Sequence, residues 1–239
     1  MSLLALDGVQ ARYGLLQAVR GVTLALDKGE TLALVGANGA GKTTLLRAIA
    51  GAHKLSGGRI ALDGVDVGAL PSYARAALGI ALTPEGRKLF LRMTVEENLL
   101  LAKAAGRHGP FDIDAIMAMF PNLKVRRKSL AGSLSGGEQQ ATAIGRALMT
   151  NPDVLLLDEV SLGLAPIVVE RLYGQLEALK GSGLAIILVE QDLKRAMGAA
   201  TRIACMLEGE IVLQGKAGEL TREAIMRAYF GLRSSGQAA

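Results

Sequence analysis

The chain has 239 residues, a formal net charge of +5, half of its residues hydrophobic and only 3% aromatic, with no tryptophan. That length can bury a sizeable core in one domain or two tightly packed ones, and a mean hydropathy of +0.32 is reached without any apolar run of about 18 residues that would cross a membrane. Scattered charge and scarce aromatics argue against a nucleic-acid face, no amino-terminal basic and apolar segment marks a leader, and the single Cys205 cannot form an internal disulfide, which suits a reducing compartment.

In chain order, residues 3–6, 22–26 and 31–35 read as strands, punctuated by turn signals at Asp7-Gly8 and Asp27-Lys28-Gly29. A glycine loop follows and opens a helix expected over residues 42–50. Gly57-Gly58 and Asp63-Gly64 predict a further hairpin. From about Pro71 to Met149 the pattern is mainly helical. Thr94 with Glu97 three residues on makes a capping box for a helix through Lys103. A second helix is expected over residues 112–120, stopped by Pro121, and a longer one over 135–149. The apolar runs in 153–159 and 184–190 read as buried parallel strands, each followed by a helix, 166–180 and 192–200. Residues 203–207 and 211–213, joined by Glu208-Gly209-Glu210, read as a closing hairpin. A last amphipathic helix is expected over 221–230, then a polar tail from Ser234 to Ala239. The alternation predicts an α/β fold around a mainly parallel sheet, with an N-terminal β part and a helical insertion. The densest basic run, Lys124-Val125-Arg126-Arg127-Lys128, reads as a solvated face.

Three segments carry chemistry. Gly36-Ala37-Asn38-Gly39-Ala40-Gly41-Lys42-Thr43, followed by Thr44, has the spacing of a phosphate cradle. Gly36, Gly39 and Gly41 let the backbone bend so that N–H groups point inward, and the following helix adds its positive end. Lys42 is expected on the β- and γ-phosphates and the Thr43 hydroxyl on Mg²⁺. A plain glycine hairpin would not run into Lys-Thr-Thr and an apolar helix. Val154-Leu155-Leu156-Leu157 ends in Asp158-Glu159. Asp158 is expected to hold the Mg²⁺ shell, and Glu159 to orient or deprotonate the attacking water. Alone, the pair would read as an acidic helix cap. Leu134-Ser135-Gly136-Gly137-Glu138-Gln139-Gln140 is a second anion-friendly loop opening a helix. One ATP fills one cradle, so Ser135, Gly136 and Gly137 are expected to cap the γ-phosphate held by a second chain, head to tail in a closed pair. Ser135 and Glu138 equally fit an ordinary capping box, and both readings hold at once.

On these motifs the chain resembles the ATPases of ABC transporters over essentially its whole length. More narrowly it is similar to the shorter ATPase subunit of importers for branched-chain and other hydrophobic amino acids, a group that includes amide and urea systems. The segments are Thr83-Pro84-Glu85-Gly86-Arg87, Met93-Thr94-Val95-Glu96-Glu97-Asn98-Leu99, Ser161-Leu162-Gly163-Leu164-Ala165-Pro166 and Val189-Glu190-Gln191. The resemblance implies a P-loop ATPase with ATP and Mg²⁺ as cofactors. It implies a single domain over 1–239, with about 1–84 and 150–239 as catalytic core and β part, and about 85–149 as the insertion. It implies a second cassette, the same or different, membrane permease subunits, an external binding protein reached indirectly, and a place on the cytoplasmic face of the cell membrane, with no nucleic-acid partner. It places Tyr13 on the adenine, Glu85 where most cassettes have a Gln that contacts Mg²⁺ and the membrane subunit, and Gln191 where the usual His contacts the γ-phosphate. Gln191 thus joins Glu159 and Lys42 as a catalytic candidate, although an amide cannot become a cation. Leu164 replaces an Asp in the loop after Glu159, and Val160 replaces a Pro. His53 and His108 match no motif and read as surface residues. Cassettes that act on DNA carry a long coiled coil in the insertion, and those on ribosomes carry two cassettes. One cassette with a short insertion disfavours both. A binding-only cassette is opposed by Glu159 and left open by Gln191 and Leu164.

Overall fold

The computed structural model describes residues 2–179 and 181–232. Its strands are β1 (Leu4–Tyr13), β2 (Leu16–Leu26), β3 (Thr31–Val35), β4 (Leu55–Leu62), β5 (Val65–Asp66), β6 (Ile80–Thr83), β7 (Val154–Asp158), β8 (Ala185–Val189), β9 (Arg202–Leu207) and β10 (Glu210–Lys216). They form an antiparallel sheet of order β2-β1-β4-β5 and a six-stranded sheet of order β10-β9-β3-β8-β7-β6. In the larger sheet β9, β3, β8, β7 and β6 run parallel and only β10 is antiparallel. The helices are α1 (Lys42–Ile49), α2 (Ser72–Leu78), α3 (Val95–Leu100), α4 (Ile113–Met119), α5 (Pro121–Val125), α6 (Gly136–Leu148), α7 (Pro166–Glu177), α8 (Leu193–Ala199) and α9 (Arg222–Phe230).

Every residue of β3, β7 and β8 is buried, which is why these strands read as unbroken apolar runs rather than alternating ones. Alternate side chains still serve different cores, because successive Cβ atoms point to opposite faces. Val154 and Leu156 join α1 and the antiparallel sheet through Leu45, Leu46, Ile49 and Ile60. Leu155 and Leu157 face the helices of the middle segment, where Leu99, Ile116, Leu123, Ile144 and Leu148 close over them. A third cluster sets Ala33, Val35 and Cys205 against α8 and α9. The sheet is thus covered on both sides, and its strand ends are free to carry chemistry.

Several expectations need correction. Gly57-Gly58 does not turn the chain; it lies inside β4, and only Asp63-Gly64 makes the hairpin. Gly58 is required there because a Cβ would meet the Gly8 carbonyl oxygen at 2.3 Å, at a register shift against β1. Within the stretch read as helical, Ile80–Thr83 is the parallel edge strand β6; four residues are too few to reveal a period. The helix from Thr94 ends at Leu100 and tightens into a 3₁₀ turn, Leu101–Ala105. Pro121 ends α4 and also begins α5, where its missing N–H costs nothing. The helix after Pro166 ends at Glu177. Lys180 and the tail from Ser234 to Ala239 lie outside the described residues.

Candidate functional site

The carboxyl ends of β3, β8, β7 and β6 lie side by side in that order. The residues that follow each strand are the sequence candidates: Gly36 to Thr43 after β3, Gln191 after β8, Asp158 and Glu159 at the end of β7, and Glu85 after β6. This edge is where open parallel sheets hold ligands. An open cleft of about 520 Å³ there is lined by Tyr13, Asn38, Gly39, Gly41, Lys42, Thr43, Thr44, Glu85, Glu159 and Gln191, with Leu16, Ala18 and Leu162. Gly36, Ala40 and Asp158 sit buried behind its wall.

The loop after β3 is shaped by close backbone approach. A Cβ on Gly36 would lie 2.1 Å from the Met206 carbonyl oxygen, and one on Gly41 would lie 2.3 Å from that of Ala18. Both have positive φ, +152° and +101°, so no other residue fits either position. Gly41 caps α1 without a side-chain hydrogen bond, which leaves the first N–H groups of the helix for an anion. Lys42 is buried, and its Nζ donates to the carbonyls of Gly36 and Ala37 at 2.7 and 2.9 Å. Burial holds its pKa below the usual value, against the opposing pull of Glu159 and Asp158.

The buried Asp158 accepts from the Thr43 hydroxyl at 3.0 Å through Oδ1, while Oδ2 has no hydrogen-bond partner among the described residues. Burial raises its pKa above the usual carboxylate range; the Thr43 hydrogen bond opposes that, and Glu159 and Glu85 add to it. An orphaned buried carboxylate oxygen beside a hydroxyl is costly unless something binds it, and this all-oxygen donor set fits a hard divalent cation such as Mg²⁺. Glu159 has φ +48°, uncommon for a residue with a side chain and frequent at functional sites. Its Oε2 accepts from Nε2 of Gln191 at 2.7 Å. The amide expected on a phosphate is therefore engaged with Glu159.

Tyr13 is 47% exposed at the cleft mouth, and its ring centroid lies 4.5 Å from that of His53. His53, expected as a surface residue, is half-buried and backs this aromatic, with Nε2 3.1 Å from the Arg12 carbonyl oxygen. No local signal could have revealed the contact. His108 is exposed.

Ser135, Gly136 and Gly137 do not line this cleft. Ser135 forms the expected capping box with Glu138 at the start of α6, and Ser135 and Gly137 line a separate groove of about 460 Å³ with Leu164, Val168 and Leu172. The two regions are joined within the chain. Gly86, Arg87 and Lys88 all have positive φ, and this turn delivers Nη1 of Arg87 to Oε1 of Gln139 at 2.8 Å. Arg146, also on α6, donates to the Lys88 carbonyl at 2.9 Å. The loop that carries Glu85 is thereby fastened to the helix that Ser135 opens. Sequence reasoning named Arg87 only as part of a segment and missed Arg146.

The family model described as ABC transporter matches residues 19–161. A high-affinity branched-chain amino acid transport ATP-binding protein, BraG of Pseudomonas aeruginosa, is 41% identical, covering 96% of this chain and all of the relative. A probable branched-chain amino acid transport ATP-binding protein, LivF of Archaeoglobus fulgidus, is 36% identical over 89% of this chain and 91% of its own. The lipopolysaccharide export system ATP-binding protein LptB of Escherichia coli K12 is 30% identical over 97% and 98%. Among solved structures, a nucleotide-free ATP-binding cassette from an ABC transporter superposes with a TM-score of 0.83 at 26% identity, covering 95% of each chain. The chain belongs to the ATP-binding subunits of ABC transporters, and it is an ATPase.

Proposed function

We propose that this chain hydrolyses ATP with Mg²⁺ to drive uptake of branched-chain or related hydrophobic amino acids, as one of two cassettes on the cytoplasmic face of the membrane. The observation that carries the catalytic part is the meeting, at one sheet edge, of an uncapped glycine cradle, an Asp158 with an orphaned oxygen, and a Glu159 held by Gln191. The 41% identity to a branched-chain amino acid transport protein along its whole length supports the solute class. The lower identity to the lipopolysaccharide export protein makes export the weaker reading.

In this mechanism Lys42 exchanges its two carbonyl acceptors for the β- and γ-phosphate oxygens, while Gly39 and Gly41 let backbone N–H groups approach them. Tyr13, backed by His53, stacks on the adenine. Thr43 and Asp158 would hold Mg²⁺, which when bound would offset charge on the phosphate oxygens. Glu159 orients the attacking water and accepts its proton, and Gln191 fixes the direction of that carboxylate. Ser135, Gly136 and Gly137 lie off the cleft, which supports their service to the nucleotide of a second cassette in a head-to-tail pair. Residues 85–149 act as the insertion that passes motion to permease subunits. Among the described residues no helix is long and apolar enough to cross a membrane; in this reading the crossing belongs to the permease subunits. The test is labelled leucine uptake by cells from which the chain has been deleted. Uptake restored by the wild type and not by Glu159→Gln supports the role; uptake indifferent to the chain sinks the solute assignment.

A further inference from the structure

We infer that Glu190 is a positioning residue for hydrolysis: its buried carboxylate clamps the loop after Glu159 to the loop after β8 and so fixes the Glu159–Gln191 pair. The inference rests on the reading of Glu159 as the group that activates water.

Glu190 is 2% exposed and each of its oxygens has two donors. Oε1 accepts from the Ser161 hydroxyl and from the Tyr173 hydroxyl. Oε2 accepts from the backbone N–H of Gln191 at 3.0 Å and of Asp192 at 3.2 Å. All four donors are neutral groups. They come from three segments: the turn after β7, helix α7, and the exit of β8. In the sheet Asp158 pairs with Val189, so Glu159 and Glu190 leave adjacent strands together.

Two arms then run from this one carboxylate to Glu159. One passes through Gln191, whose backbone N–H is held by Glu190 and whose side chain donates to Glu159. The other passes through Ser161, two residues beyond Glu159 in a turn closed by the Leu162 N–H on the Glu159 carbonyl at 3.1 Å. Glu159 sits in the left-handed region, a conformation that persists only where neighbours over-determine it. A carboxylate suits this post because it accepts from all four groups and strengthens each bond with its charge; an amide of the same shape would keep the set only with the Ser161 and Tyr173 hydroxyls turned round to accept from its NH₂, and without that charge. No property of the nucleotide cleft itself calls for a buried acid here, since Glu190 does not line it.

The test compares Glu190→Gln, Tyr173→Phe and Glu159→Gln in the purified full-length chain, by steady-state ATP turnover and by equilibrium ATP affinity. Glu190→Gln should lower kcat by about tenfold, as expected when charge-assisted hydrogen bonds become neutral ones, with ATP affinity within about twofold. Tyr173→Phe deletes a single hydroxyl; it should lower kcat less, in the same pattern, and it carries the test if Glu190→Gln does not fold. Because Glu190 acts through Glu159, adding Glu190→Gln to Glu159→Gln should cost no further turnover. Wild-type kcat in both Glu190→Gln and Tyr173→Phe, while Glu159→Gln has lost turnover, overturns the positioning role and leaves Glu159 in place. A fall in turnover matched by a fall in ATP affinity, or independent losses in the double variant, reduces Glu190 to a structural contact and overturns it as well. Wild-type turnover in Glu159→Gln removes the base itself, and the inference falls with it.

Discussion

Two glycine-bearing loops each open a helix in this chain, and they are built in opposite ways. The loop into α1 ends in a left-handed Gly41 with no side-chain cap, and two of its glycines are pressed against backbone carbonyls. The loop into α6 begins with Ser135, and its capping box with Glu138 satisfies the helix start from within. The first loop is a preformed cradle with donors left over. The second is self-sufficient, with an exposed serine whose hydroxyl donates to Glu138 at 2.8 Å. On the proposed reading, the first loop binds the chain's own nucleotide and the second engages a nucleotide only when another cassette presents one.

The largest effect should come from breaking the cradle. Lys42→Ala removes the buried cation and should weaken ATP binding by about 100-fold, the scale of lost charge-assisted contacts; titration with a fluorescent ATP analogue checks this, and unchanged affinity would contradict the cradle. The second loop should respond differently. Ser135→Arg should leave ATP affinity within about twofold yet abolish ATP-dependent pairing, because an exposed bulky cation blocks a facing surface rather than the chain's own cleft. Ser135→Ala separates the two duties of this residue: it should cost α6 about 1 kcal/mol of capping, read as a lower melting temperature. Analytical ultracentrifugation with and without ATP distinguishes the two variants, and pairing that survives Ser135→Arg would remove the second loop from any interface.

The smallest effect concerns the ion pairs that tie α3 to the segment between α5 and α6. Glu96 is held well below the usual carboxylate range, to about 2, by hydrogen bonds from Arg127 and Lys128. Their stabilisation is present above the ordinary value of 4.5 and is lost as pH falls toward 2. Glu96→Gln should therefore lower the melting temperature slightly at neutral pH, with the gap to wild type closing as pH drops through that window. A gap that stays constant with pH would show that the ion pairs contribute nothing.

The features legible in the sequence were those with local causes. The phosphate loop, the aliphatic strand ending in Asp158-Glu159, and the capping boxes at Thr94 and Ser135 each sit within a few residues. What stayed hidden depends on strand order. β6 was missed because four residues show no period, and with it went the physical reason for the place of Glu85 beside β7. The Tyr13–His53 contact joins residues 13 and 53 across the end of β1. The four hydrogen bonds of Glu190 exist only because β8 lies next to β7. Gln191 shows both sides: its identity was plain, but its engagement with Glu159 was not.

The most direct measurement is phosphate release by the purified chain with and without Mg²⁺, beside Glu159→Gln, with oligomeric state followed in ATP. The account predicts Mg²⁺-dependent turnover in the wild type and a drop of about 10²-fold or more in the variant, which should still bind ATP and accumulate as a closed pair. Turnover that persists at the wild-type rate in Glu159→Gln, or that ignores removal of Mg²⁺, would contradict it.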